Sequence, residues 1–208
     1  MTVSLNEVEA TAKKAARGAG HTWGMAEEAA KATRWLCRHG VDGCAALARL
    51  LTTETGDIEQ DALKRACVWR PVSAPLCPLN VGASMADLAH ELIDEPWQVG
   101  HVTCPSLLIP FAADIASKTG KTVALSGAGF TALTDGETLN LVGQMPYQAD
   151  QLVFHTTASP LRPNGVFSRS DPAKPDWAML QELAHRTYAP ATEASRLKGA
   201  GAGMTDND

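Results

Sequence analysis

The residues with the most varied chemistry close the chain. Arg186-Thr-Tyr188 leads through Glu193, Ser195 and Arg196 into a Gly-Ala-Gly-Ala-Gly run that ends at Asp208. Arginine forks bind carboxylate or phosphate through paired hydrogen bonds, and glycine lets a backbone approach a ligand closely. The pattern predicts ligand binding by Arg186, Tyr188 and Arg196, with Glu193 as a catalytic carboxylate, provided that the tail folds against the body. The competing reading is a solvated, flexible terminus. These glycines follow no strand and leave no room for a helix after them, so they do not form a dinucleotide-binding turn.

A second group lies where Phe154-His-Thr-Thr-Ala-Ser-Pro-Leu-Arg162 passes from an expected strand into a polar loop. A strand end holds a side chain rigidly at a cleft. His155 is therefore a candidate general base or hydrogen-bond donor, and Arg162 a candidate anchor for an anion. The plainer reading is a surface histidine and an ordinary loop. His101-Val-Thr-Cys104 has the ligand types for half a zinc site, but no second half accompanies it, so neither metal nor cofactor is expected. Cys37-Arg-His39 and Cys44 are separated by a helix stop and a new cap, which predicts thiols on different helical faces, acting in packing. Ser126-Gly-Ala-Gly-Phe130 follows a strand but precedes hairpin chemistry, so it reads as a bend and not as a nucleotide loop.

The elements that must position these groups are well punctuated. Ser4-Leu-Asn-Glu7 is a capping box with Val3 and Val8 at the staple positions, and it opens a helix from about Leu5 that Gly18 and Gly20 stop. A second helix spans Trp23 to His39, with Glu27 and Lys31 spaced as an i, i+4 pair. Gly40 ends it, Asp42 caps a third through Leu51, and Asp57 opens a fourth that ends near Cys67. Prolines 71, 75 and 78 predict an extended crossing, and a short helix starts at Ser84 and runs through Leu92. Strands are expected at Trp97–Thr103, Leu107–Ile109 and Thr122–Leu125, with a helix at Phe111–Lys118 between the last two. Asp135-Gly136 joins Phe130–Leu133 to Thr138–Val142 as a hairpin, and Gln151–Thr156 adds a strand. After a long irregular segment, Asp176 caps a last helix to about His185.

Composition narrows the function classes. The 208 residues are 45% hydrophobic with a formal charge of -5, and no linear basic stripe suggests nucleic acid as a partner. The longest apolar stretch, Leu107 to Ile115, is broken by Pro110 and Asp114 and falls short of the ~20 residues that a bilayer requires, so no membrane span is expected. The opening Met-Thr-Val-Ser-Leu-Asn-Glu lacks the basic and apolar regions of a secretory signal, which predicts a cytoplasmic protein. Five irregularly spaced cysteines argue for reduced thiols over a disulfide scaffold.

Ser4-Leu-Asn-Glu-Val-Glu9, Ala15-Ala-Arg-Gly-Ala-Gly20, Trp23-Gly-Met-Ala-Glu-Glu-Ala29 and the closing Arg186 to Asp208 resemble a bacterial family of uncharacterised proteins of about this length. That resemblance implies a free-standing domain and brings no catalytic residues. The helix, glycine, helix opening is also loosely similar to the N-terminal helices of the malate/L-lactate dehydrogenase-like family, with His39-Gly-Val-Asp-Gly43 near that family's Asp-Ser-His-Gly. The chain is much too short for that fold, so no dehydrogenase activity follows.

The expected architecture is α+β: an N-terminal helical layer (1–68) on a small, mostly antiparallel sheet in a mixed part (69–188), then the tail (189–208), all in one domain. Two functions remain open. One is an accessory or interaction protein in small-molecule metabolism, acting as a homo-oligomer or with a partner enzyme. The other is an enzyme or binder of a small anionic ligand, with His155, Arg162, Glu193 and Arg196 converging on one pocket.

Overall fold

A computed structural model describes residues 2–56, 68–71, 73–91 and 95–188. The expected Asp57 helix and the tail after Tyr188 lie outside these residues. Strand β1 (Val3–Ser4) leads into α1 (Leu5–Gly18), whose first turn is closed by the Ser4 hydroxyl accepting from the Glu7 amide at 3.1 Å. Thr22 caps α2 (Trp23–Arg38) through Met25 N–H, and Asp42 caps α3 (Gly43–Leu50) through Ala45 N–H at 2.9 Å. Each cap satisfies an amide that the helix leaves without an internal partner. Lys13 of α1 donates to Glu27 at 2.7 Å, and Lys31 pairs with Glu28 at 2.9 Å. The Glu27–Lys31 pair expected within α2 is therefore replaced by a bond that ties α2 to α1.

Strand β2 (Val68–Trp69) precedes α4 (Pro78–Asp87). Pro78, read from the sequence as part of a helix-free crossing, stands in the first turn of α4, where a missing N–H costs nothing. Ser84, expected to open a helix, thus falls inside one. After β3 (Trp97–Thr103), Leu107–Ile109 is not a strand: Pro105–Leu108 is a short 3-10 turn running into α5 (Ile109–Thr119). Strands β4 (Thr122–Gly127), β5 (Phe130–Thr134), β6 (Leu139–Gly143) and β7 (Gln148–Thr157) follow. The β5–β6 turn has Gly136 at φ 107 and Asp135 accepting from the Glu137 and Thr138 amides. Among the described residues the last elements are β8 (Arg169–Ser170) and α6 (Lys174–His185), in which Asp176 sits in the first turn and not at the cap, which is Ala173.

The fold is α+β. The main sheet has the order β2-β3-β7-β4-β5-β6, antiparallel except for β2 beside β3, and a separate ribbon pairs β1 with β8. Period-2 alternation turns Val99, Leu152, Phe154, Val123 and Leu125 inward, all fully buried, and α5 packs on β4 and β5. Helix α2 packs on α5, and α1 packs on α2 and α6, so the helices stack away from one face of the sheet. The irregular segment before α6 has structural work: Asn164 donates its amide to Leu139 and its side chain accepts from Leu141 N–H, covering part of the β6 edge. Farther on, Phe167 N–H donates to the Arg38 carbonyl at 2.7 Å, tying that segment to the end of α2. His39 ties the same end to the sheet, its ring reaching the Trp35 carbonyl at 2.8 Å and the Glu137 carbonyl at 3.0 Å.

Candidate functional site

The end of α1 carries Lys13, Lys14 and Arg17 on the flank of a helix whose alanines 12, 15 and 16 are buried. A three- or four-residue step places Lys13, Lys14 and Arg17 within one turn. Helix α6 crosses here at very short range, because a Cβ built on Gly18 would lie 1.8 Å from the Leu183 carbonyl oxygen. Only the missing side chain of Gly18 lets the two backbones approach so closely. The approach carries Arg186, Thr187 and Tyr188 alongside the α1 cations, and Trp23, the first residue of α2, closes the far side. The result is an open cleft of about 640 Å³ with a predominantly apolar floor and a basic rim.

Its aromatic groups are exposed and flanked by cations. Trp23 is 65% exposed, with the Arg17 guanidinium 4.5 Å and the Lys13 ammonium 5.9 Å from its ring. Tyr188 is 53% exposed; Lys14 lies 5.1 Å from its ring centroid and donates to its hydroxyl at 3.2 Å. His185 meets the same ring edge-on at 5.2 Å. Each aromatic offers a face for stacking, and each cation already sits where a ring quadrupole favours it.

Part of this charge serves the helix ends. Arg17 donates to the His21 carbonyl just past α1 and, like Arg186 at the end of α6, it complements the negative pole of its helix. Glu27 neutralises Lys13, and the hydrogen bond from Lys13 holds the Glu27 carboxyl below its usual range. Among the described residues, Arg186 pairs with Glu182 at 3.6 Å, with both side chains mostly in solvent, a pair of small worth. Among the described residues, neither Lys14 nor Arg17 has a carboxylate partner. A positive surplus therefore persists in a chain of net charge -5.

His21 borders this arrangement, and its burial lowers its pKa from the ordinary 6.5. The folded protein binds that proton more weakly than the unfolded chain, so stability falls as pH drops from about 6.5 toward the lower folded value and is fully present above 6.5. Thermal melts between pH 7.5 and pH 5 are expected to show this decline, and His21→Gln should flatten it while the acid loss due to Glu27 persists at lower pH. An unchanged slope in the His21→Gln protein would remove His21 as its source.

The sequence candidates separate. Arg186 and Tyr188 line the cleft. His155 is half-buried on β7 opposite Ala124, and by alternation with Phe154 it points away from the helices. Arg162 is exposed in the segment before β8, and neither residue lines the α1–α6 cleft. Glu193 and Arg196 lie outside the described residues. His101 and Cys104 share an unusual backbone, both at φ 45, yet among the described residues no group of three His, Cys, Asp or Glu is placed to hold a metal. Sequence reading passed over Lys13, Lys14, Arg17 and Trp23. The available signal was three cations in one turn followed by a large aromatic at the next helix start, where burial is not required.

Comparison with known proteins reaches part of this site. Residues 3–88 match a family described as a protein of unknown function (DUF3726). The matched residues run from β1 through α4, so they include Lys13, Lys14, Arg17, Gly18 and Trp23. The opposite wall, Arg186 to Tyr188, comes from α6 and its continuation, beyond the matched residues. No curated protein and no solved structure matches the chain. Among the described residues, no helix is long and apolar enough to cross a membrane.

Proposed function

We propose that the α1–α6 cleft binds a small organic anion with a planar or apolar body. The observation that carries this reading is the placement of Lys14 and Arg17, without carboxylate partners among the described residues, against the exposed rings of Tyr188 and Trp23. The cations receive the carboxylate, phosphate or sulfonate, and the rings receive the body. Among the described lining residues there is no carboxylate, cysteine or histidine, so the chemistry supports binding over general acid–base catalysis. We place the protein in the cytoplasm, in bacterial small-molecule metabolism, with a second copy or a partner enzyme receiving the bound anion.

A titration of intrinsic fluorescence with phenyl phosphate, inorganic phosphate and phenol tests the reading. The first ligand is expected to bind best, and its affinity should fall with added salt. Equal binding of phenol would discard the anion requirement.

The tail leaves the described structure at Tyr188, inside the cleft, which supports Glu193 and Arg196 as additional cleft residues. Deleting the residues after Pro190 is expected to weaken phenyl phosphate binding about tenfold, the contribution of one charge-assisted contact. Unchanged affinity would take both residues out of the site.

A further inference from the structure

Cys37 lies in the last turn of α2 and Cys44 in the first turn of α3, and the intervening turn folds them together with 3.9 Å between their sulfurs. Both are buried, at 4% and 0% exposure. A disulfide requires ~2.05 Å between sulfurs, a closure of the kind that a side-chain rotation or a small shift of the turn supplies. The nearby amides of Gly43 and Cys44, at the start of α3, and the hydroxyl of Ser170, on β8, lower the Cys37 pKa against burial, which raises it. Such donors favour a thiolate. The two sulfurs are also unlike one another. The hydrogen-bonded contact between the two sulfurs, with these groups, holds Cys37 down to about 7. Cys44 is pushed far up, first by that same hydrogen bond, then by burial and by the charges of Cys37, Asp42 and Asp176. Cys37 keeps the little exposed surface that the pair has, 4% against 0% for Cys44, so it is the sulfur that a small oxidant reaches first. Packing alone accounts for two small buried side chains, but it does not call for two sulfurs in direct contact across the turn between two helices.

We propose that Cys37 and Cys44 form a redox-active dithiol that reacts with a hydroperoxide. The Cys37 thiolate attacks one peroxide oxygen, the O–O bond breaks, and the departing oxygen takes a proton and leaves as water or an alcohol. Cys37 becomes a sulfenic acid. The Cys44 sulfur then attacks the Cys37 sulfur; the Cys44 proton and the Cys37 hydroxyl leave as water, and the S–S bond forms. Two electrons pass from the two thiols to the hydroperoxide, which is reduced. Hydrogen peroxide is small enough to reach a sulfur with little exposed surface. The sulfenic acid no longer holds the Cys44 proton as the thiolate does, so formation of the first intermediate frees the second thiol to react.

The test uses the full chain, folded and reduced. After brief hydrogen peroxide treatment, remaining thiols are blocked and the protein is cut after arginine. The expected product is residues 35–38 joined to residues 39–49 through Cys37 and Cys44, lost on reduction. Cys37 should react at least about tenfold faster than Cys104, whose thiol burial pushes up. Cys44→Ser is expected to halt the reaction at a Cys37 sulfenic acid that dimedone traps; should that variant unfold, the wild-type product and its rate still decide. The proposal is overturned if the linked peptides appear only after denaturant, or if Cys104 oxidises as fast as Cys37.

Discussion

Replacing Lys14 or Arg17 by alanine is expected to weaken phenyl phosphate binding roughly ten- to hundredfold, and replacing both by glutamate should leave no measurable binding. A hydrogen bond to a charged group contributes about 1.5–3 kcal/mol, and each 1.4 kcal/mol is about a factor of ten in affinity. The fold should tolerate the changes, because both side chains sit on the flank of α1 and their help to the helix end is worth only about 0.3–1 kcal/mol. Glu27→Gln gives the opposite sign. Removing the carboxylate frees Lys13, now held at 2.7 Å, for the ligand, so affinity should rise severalfold. His155→Ala should change nothing, since His155 does not line the cleft. Isothermal titration of these proteins at one salt concentration separates the cases. Equal losses from the His155 and Arg17 variants would mean that binding lies elsewhere.

The second large effect is on stability. Gly18→Ala forces a methyl group toward the Leu183 carbonyl, where an ideal Cβ would be 1.8 Å from oxygen. The obstacle is backbone, so no rotamer change relieves it, and α6 must move away from α1. Overpacking a tight contact costs about 1–3 kcal/mol and occasionally more, and this contact belongs at the upper end. For a chain of this size that lowers Tm by about 6–10 °C. Gly24→Ala is the matched control: it too is helical, but nothing lies within 4 Å of its Cβ position, so the change should be neutral or stabilise by about 0.5–1 kcal/mol through reduced backbone freedom. Thermal melts should show a lower Tm for the Gly18 variant and an unchanged or higher Tm for the Gly24 variant. The Gly18 variant should also lose anion affinity, because the Arg186–Tyr188 wall retreats with α6.

Local signals carried most of the fold. Ser4, Asp42 and the Asp135-Gly136 turn act within three or four residues, and their caps and hairpin are legible from neighbouring residues alone. Where local signals conflict with tertiary context, the reading failed: Pro78 looked like a break and is a helix start, and Leu107–Ile109 has strand composition but follows Pro105 into a 3-10 turn. The cleft is a contact between distant segments. Arg186 and Tyr188 stood out by their chemistry, but their neighbours on α1 are some 170 positions away (Lys14 to Tyr188), and Gly18, which ends α1 as the sequence predicts, is also where α6 packs against it. Cys37 and Cys44 were assigned to different faces because periodicity describes one continuous helix. They meet through the turn between two helices, which periodicity does not describe.

Whether the α1–α6 cleft holds the ligand is read from amide and indole chemical shifts followed by NMR while phenyl phosphate is added to the full chain. Saturable shifts are expected to be confined to Lys13–Gly18, the Trp23 indole and Arg186–Tyr188, and to be absent in the protein carrying glutamate at positions 14 and 17. Shifts centred on His155 and the outer face of the sheet, or no saturable shift anywhere, would contradict this placement of the ligand.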